Sequence, residues 1–125
     1  MTVISIYYNL YVPMKQVHWL GSSRADLKAF PADARLVAGF QLHLVQLGFD
    51  PNDGKPFRSV GPGVREIRVH TALEHRVVYV ATFAESVYVL HAFAKKTAKT
   101  PQRDIRVARD RFQALVAERR GAHAT

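Results

Sequence analysis

The segment HAFAKKTAKTP, residues 91–101, places Lys95, Lys96 and Lys99 between the end of an apolar run and the proline-marked start of a helix, with no acid among them. Lysines close to the free N–H groups of a helix N-terminus are a common way of holding phosphate, because the helix dipole adds to the fixed positive charge. Cations are unfavourable at that end of a helix, so stability alone is a poor reason for the cluster. Anion binding is the chemical reading and a solvated loop the plain one.

A second set lies in VREIRVH, residues 64–70, where Ile67 and Val69 alternate with Glu66, Arg68 and His70. A strand with this period carries one core face and one charged face. Arg76 opens the next strand signal across a short turn, near enough to meet Arg68. A solvated sheet face with cross-strand ion pairs accounts for the same pattern.

The remaining candidates are weaker. The six histidines show neither HExxH nor HxH spacing, and without cysteine no zinc-ligand set emerges. His43 reads as structural. His91, late in an apolar strand, suits a core or interfacial position and is also placed to act as a general base. Phe57 and Phe93 are candidates for stacking on nucleobases, while Trp19, Tyr79 and Tyr88 read as core. Nucleophile elbows, phosphate-binding Walker loops and dinucleotide fingerprints are absent, and GPG at 61–63 is a turn.

Composition narrows the setting. With 125 residues, 48% hydrophobic and 22% charged, the chain supports one modest core. The net charge of +8 favours a polyanionic partner, and residues 91–125 carry nine basic against three acidic side chains, so most of the excess sits there. The lack of cysteine excludes disulfides and thiolate chemistry and suits a reducing cytoplasm. No apolar run approaches the ~20 residues of a membrane span. Residues 1–14 read as a short β-prone extension without the basic leader of a signal peptide, and Met14 offers a second possible start.

Those residues need a scaffold. QVHWLG predicts a short strand ended by Gly21, and SSRADLKAF a short helix with Ser23 as N-cap and Asp26 three positions on. Pro31 enters the first turn of a second helix reaching about Leu47, with Leu36, Phe40, Leu44 and Leu47 as its apolar stripe. FDPNDGKP is a loop by composition. Three strand signals follow, in VREIRVH, HRVVYVATF and SVYVLHAF, joined by connections short enough only for antiparallel hairpins. Thr100 as N-cap and Pro101 at the first helical position start a last helix that buries Ile105, Ala108, Phe112 and Leu115. The predicted class is α+β, ordered β-α-α-β-β-β-α. An antiparallel meander is joined by the first strand and packed by an N-terminal helical hairpin and a C-terminal helix.

This order, with VHWLGSSRADLKAFP, SVGPGVREIRVH, HRVVYVATF and VYVLHAFAKKTAKTP in succession, resembles the phage-derived HigB-like branch of the RelE/ParE toxin superfamily. The resemblance implies an extension at 1–14, a RelE-like toxin domain at 15–120 and a tail at 121–125. It implies a type II toxin that cuts mRNA in the ribosomal A site without metal or other cofactor. Its partner would be a cognate helix-turn-helix, HigA-like antitoxin, with operator DNA contacted only through that antitoxin and no membrane involved. In such enzymes the message's own 2′-hydroxyl attacks the adjacent phosphate.

Carried over by position, the resemblance makes Arg76 the stabiliser of the transition state, Arg68 the basic residue of the preceding strand, and Lys95 and Lys96 the basic pair after the last strand. No tyrosine or histidine follows that pair. Glu66 and His91 are therefore the candidates for base and Lys96 for acid, with Arg65, Phe93, Lys95, Lys99 and Arg103 as RNA-binding residues. Two alternatives share the scaffold: a ParE-like inhibitor of DNA gyrase, and a non-catalytic basic protein that only binds an acidic antitoxin segment.

Overall fold

The computed structural model describes residues 14–123. The β-prone extension expected before Met14 lies outside the described residues. The elements are β1 (Gln16–Trp19), α1 (Ser23–Lys28), α2 (Ala32–Gln46), β2 (Gly54–Pro56), β3 (Val64–His70), β4 (Glu74–Val80), β5 (Ser86–Lys95) and α3 (Gln102–His123). They make a mixed α+β fold around one five-stranded sheet of order β1-β5-β4-β3-β2. Strands β2 to β5 form an antiparallel meander. Strand β1 joins it by running parallel to β5, with Gln16 opposite Ser86.

The alternation in VREIRVH sets which side chains face which layer. Ile67 and Val69 of β3, Val77 and Tyr79 of β4, and Val87 and Val89 of β5 are buried under α1 and α2, against Leu27, Phe30, Ala34, Ala38 and Leu42. On the other face Val64, Val78, Val80 and Leu90 meet Ala108, Phe112 and Leu115 of α3, the stripe expected for that helix. α3 is also tied down by polar contacts: Arg111 donates to the Leu90 carbonyl at 2.9 Å and to Ser22 Oγ at 3.0 Å. Near the far end Arg119 pairs with Glu85 and lies over the Phe83 ring, 3.9 Å from its centroid.

Four expectations change. The first half of the stripe expected for α2 faces outward, with Leu36 76% and Phe40 55% exposed, while Leu44 and Leu47 are half-buried. The buried stripe is instead Ala34, Ala38, Gln41, Leu42 and Val45, because small residues let the helix axis approach the sheet and Leu36 lies about 200° around the helix from Ala34. Second, part of the FDPNDGKP loop pairs with β3 as β2, Gly54 opposite Ile67; three residues are too few for a readable alternation.

Third, the cap positions move. Ser22 rather than Ser23 precedes α1 and donates its hydroxyl to Asp26, while Ser23 is buried and its Oγ donates to the Val89 carbonyl. Pro31 and Pro101 each stand just ahead of their helices, where their carbonyls accept from Arg35 and from Asp104 and Ile105. Fourth, α3 continues to His123, through the start of the expected tail.

Candidate functional site

Sheet parity sends Glu66 and Arg68 of β3 and Arg76 of β4 to the face that α3 covers. Since α3 starts only at Gln102, that face is left open beyond the helix N-terminus. Glu66, Arg68, Arg76 and Lys95 line a cleft there of about 470 Å³, rimmed by Lys55, Phe57, Lys99 and Thr100. The strand arginines and two of the three lysines of HAFAKKTAKTP thus converge on one anion-sized hollow at a helix N-terminus.

Arg76 and Glu66 form the floor. Arg76 is 6% exposed and Glu66 3%, an unusual depth for charged side chains. Arg76 Nη1 donates to Glu74 Oε1 and to the His75 carbonyl, each at 3.0 Å. Its Nε is buried without a hydrogen-bond partner and lies 3.9 Å from Glu66 Oε1. Lys55 Nζ stands 3.7 Å from the same oxygen. Both separations are ion-pair contacts too long for hydrogen bonds, so the Glu66 carboxylate sits between two cations while keeping acceptor capacity. That arrangement can receive a proton, and the cations beside it can stabilise a developing anion.

A polar chain surrounds the floor. Arg68 Nε donates to Asp53 Oδ1 at 2.9 Å, and Asp53 Oδ2 lies 2.5 Å from His70 Nε2. His70 Nδ1 is 2.7 Å from Glu74 Oε2, and Glu74 returns to Arg76. Hydrogen bonds from Glu74 and then Asp53 raise the His70 pKa above its ordinary value. The bond to His70 leads in holding both Asp53 and Glu74 below theirs, with Arg68 and Arg76 assisting. Asp53, Lys55, His70 and Glu74 were not singled out as site residues by sequence reasoning. Pairing of β2 with β3 through the connection at residues 57–63 brings Asp53 beside Arg68, and the β3–β4 turn brings Glu74 back to His70.

The other candidates lie elsewhere. In β5, Val89 opposes Tyr79 and His91 opposes Val78, so Leu90 is one extra residue, a bulge. Beyond it the odd-numbered residues turn toward α3, and Lys95 enters the cleft. Lys96 instead lines a second, separate cleft with His91, Phe93, Arg103 and Asp104. His91 Nε2 is bound to Asp104 Oδ1 at 2.7 Å and its Nδ1 is buried, so this imidazole fastens β5 to α3. Phe93 is buried and stacked on His91, ring centroids 5.0 Å apart, which removes it as an open platform for a base. Arg65 lies across from Tyr79 on the α2 side of the sheet, where burial raises the Tyr79 pKa and the nearby guanidinium offsets part of that rise. Phe57 is half-buried at the cleft rim.

Among the described residues no helix is long and apolar enough to cross a membrane. Comparison with curated proteins gives no match. The family described as phage derived protein Gp49-like (DUF891) matches residues 25–113, a stretch running from α1 into α3 that includes every residue lining the cationic cleft. The chain belongs to this Gp49-like family of phage-derived proteins, a family associated with RelE-like toxins.

Proposed function

We propose that the protein is the toxin of a type II toxin-antitoxin pair, of the HigB-like branch of the RelE/ParE superfamily, and that it is a ribosome-dependent endoribonuclease. The observation that carries this reading is the convergence of Arg68, Arg76, Lys55, Lys95 and Lys99 on one cleft whose floor holds a buried carboxylate.

In the proposed reaction the 2′-hydroxyl of the message attacks the adjacent phosphorus. Glu66 takes the hydroxyl proton, the P–O5′ bond breaks, and the products are a 2′,3′-cyclic phosphate and a 5′-hydroxyl end. Arg76, already buried and held by Glu74, meets the extra charge of the phosphorane-like transition state; one such preorganised donor is worth about 3 kcal/mol. Arg68 and Lys55 hold the non-bridging oxygens. Lys95, which faces the cleft where Lys96 does not, donates the proton to the leaving 5′-oxygen. His91, bound to Asp104 and buried on its other nitrogen, takes no part. A helix-turn-helix antitoxin of the HigA type is the proposed partner, bringing the pair to operator DNA, with the cytoplasm as the site of action.

The test is induction without antitoxin, followed by sequencing of transcript 5′ ends. The expected result is growth arrest with cuts in phase with translated codons, both lost in a folded Arg76→Ala variant. Arrest with intact transcripts and a DNA-damage response would instead assign a gyrase-inhibiting role, and unaffected growth a purely antitoxin-binding one. A stable Arg76→Ala protein that still cuts would remove Arg76 from the mechanism.

A further inference from the structure

The polar chain that fastens the two strand arginines passes through one imidazole. His70, at the end of β3, has Asp53 on Nε2 at 2.5 Å and Glu74 on Nδ1 at 2.7 Å. Asp53 holds Arg68 Nε at 2.9 Å and Glu74 holds Arg76 Nη1 at 3.0 Å. A neutral imidazole has one N–H and one lone pair. It can serve one carboxylate as donor, but it would turn a lone pair toward the other. While both acids are ionised, carboxylates on both nitrogens therefore require the imidazolium, and loss of its proton must release one of the two.

We propose that His70 is a positioning residue for the cationic cleft: as imidazolium it keeps Asp53 and Glu74 where they orient Arg68 and Arg76, and when neutral it frees one of them and weakens the hold on phosphate. This deepens the reading of the cleft as an RNA phosphate site and rests on it. The groups facing His70 come from three places: Asp53 ahead of β2, Arg68 of β3 through Asp53, and Glu74 with Arg76 at the start of β4. Lys95 of β5 stands opposite Glu74 in the sheet, ready to attract that carboxylate once it is released. The raised pKa of His70 and the lowered pKa values of its two partners agree with this sharing of protons.

The chain is tested in two ways between pH 5.5 and 8.5 at fixed ionic strength. In NMR titrations of the full chain, the His70 ring should titrate above the ordinary 6.5, and the Nε–H signals of Arg68 and Arg76 should shift through the same midpoint. Both arginine signals should stay flat in His70→Gln. Arginine signals that ignore the His70 midpoint would overturn the positioning role.

In parallel, anisotropy of a labelled single-stranded RNA should show affinity falling about threefold through that midpoint, the size of one unit charge acting through water over roughly 7 Å. His70→Gln should lack that step. Equal pH dependence in the two proteins would overturn the inference alone, provided Arg76→Ala weakens binding. RNA binding indifferent to Arg76→Ala at every pH would instead overturn the phosphate reading of the cleft and the inference with it.

Discussion

Arg68 and Arg76 stand directly opposite each other across β3 and β4, side by side on one face of the sheet. Like charges at directly opposed positions work against strand pairing, and here the repulsion is met by Asp53 at Arg68 and by Glu74 and the more distant Glu66 at Arg76. Replacing Arg68 by Gln should therefore change unfolding free energy by less than about 1 kcal/mol, since a half-exposed ion pair is lost and a repulsion relieved. Replacing Arg76 by Ala should lower single-turnover cleavage on programmed ribosomes by about 10²-fold or more. Urea unfolding and cleavage assays on the same preparations separate the two effects.

Glu66 gives a second prediction. Glu66→Gln retains the shape of the floor but cannot take a proton, so cleavage should fall by about 10²- to 10⁴-fold. RNA affinity should be kept or improved, because a negative charge beside the phosphate has been removed. A variant that binds less tightly but cuts normally once bound would exclude the proposed role of base.

The network at His70 also predicts how stability follows pH. A histidine whose folded pKa is raised adds stability that is complete below its unfolded value near 6.5 and is lost as pH rises through the folded value. Asp53 and Glu74, with lowered values, add stability that is complete above their unfolded values of 3.8 and 4.5 and is lost as pH falls through the folded ones. All three contributions are complete together only between about pH 4.5 and 6.5. The melting temperature of the wild type should exceed that of His70→Gln most in that window, by about 1–4 °C given the exposure of the groups, and the gap should shrink on either side.

The two faces of α2 provide a fourth prediction. Leu36→Ser and Phe40→Ser, on the exposed face, should each alter stability by no more than about 0.5 kcal/mol. Leu42→Ala, on the face buried against the sheet, should cost about 2–5 kcal/mol. Denaturant unfolding of the three variants would reverse the assignment if the order came out otherwise.

Much of the fold was legible where periodicity was long and one-sided. Alternation from Glu66 to His70 located β3 and separated Ile67 and Val69 from the charged set, but Val64 and Arg65 break the pattern, and Val64 and Glu66 are buried on the face expected to be charged. The stripe from Ile105 to Leu115 was that of a helix lying on the sheet. In α2 two apolar stripes competed, and the larger side chains misled, because close approach of helix to sheet selects small residues. β2 was too short to announce itself. At the site, Arg68, Arg76 and Glu66 followed from alternation and one hairpin. Asp53 and Glu74 joined them only through pairings that three-dimensional register creates.

The extra residue at Leu90 decides which of two chemically identical neighbours matters. Strict alternation from Tyr88 would have carried residue 96 into the cleft and residue 95 to the far side. One unpaired amino acid shifts the phase of everything after it, so Lys95 inherits the position and Lys96 is turned away. A single-residue deletion between Tyr88 and His91 would remove the bulge and still leave Lys95 opposite Glu74, facing the cleft. Laid out without the bulge, the full-length strand would present Lys96 instead, so the phase of β5 and not the KK dipeptide selects the lysine.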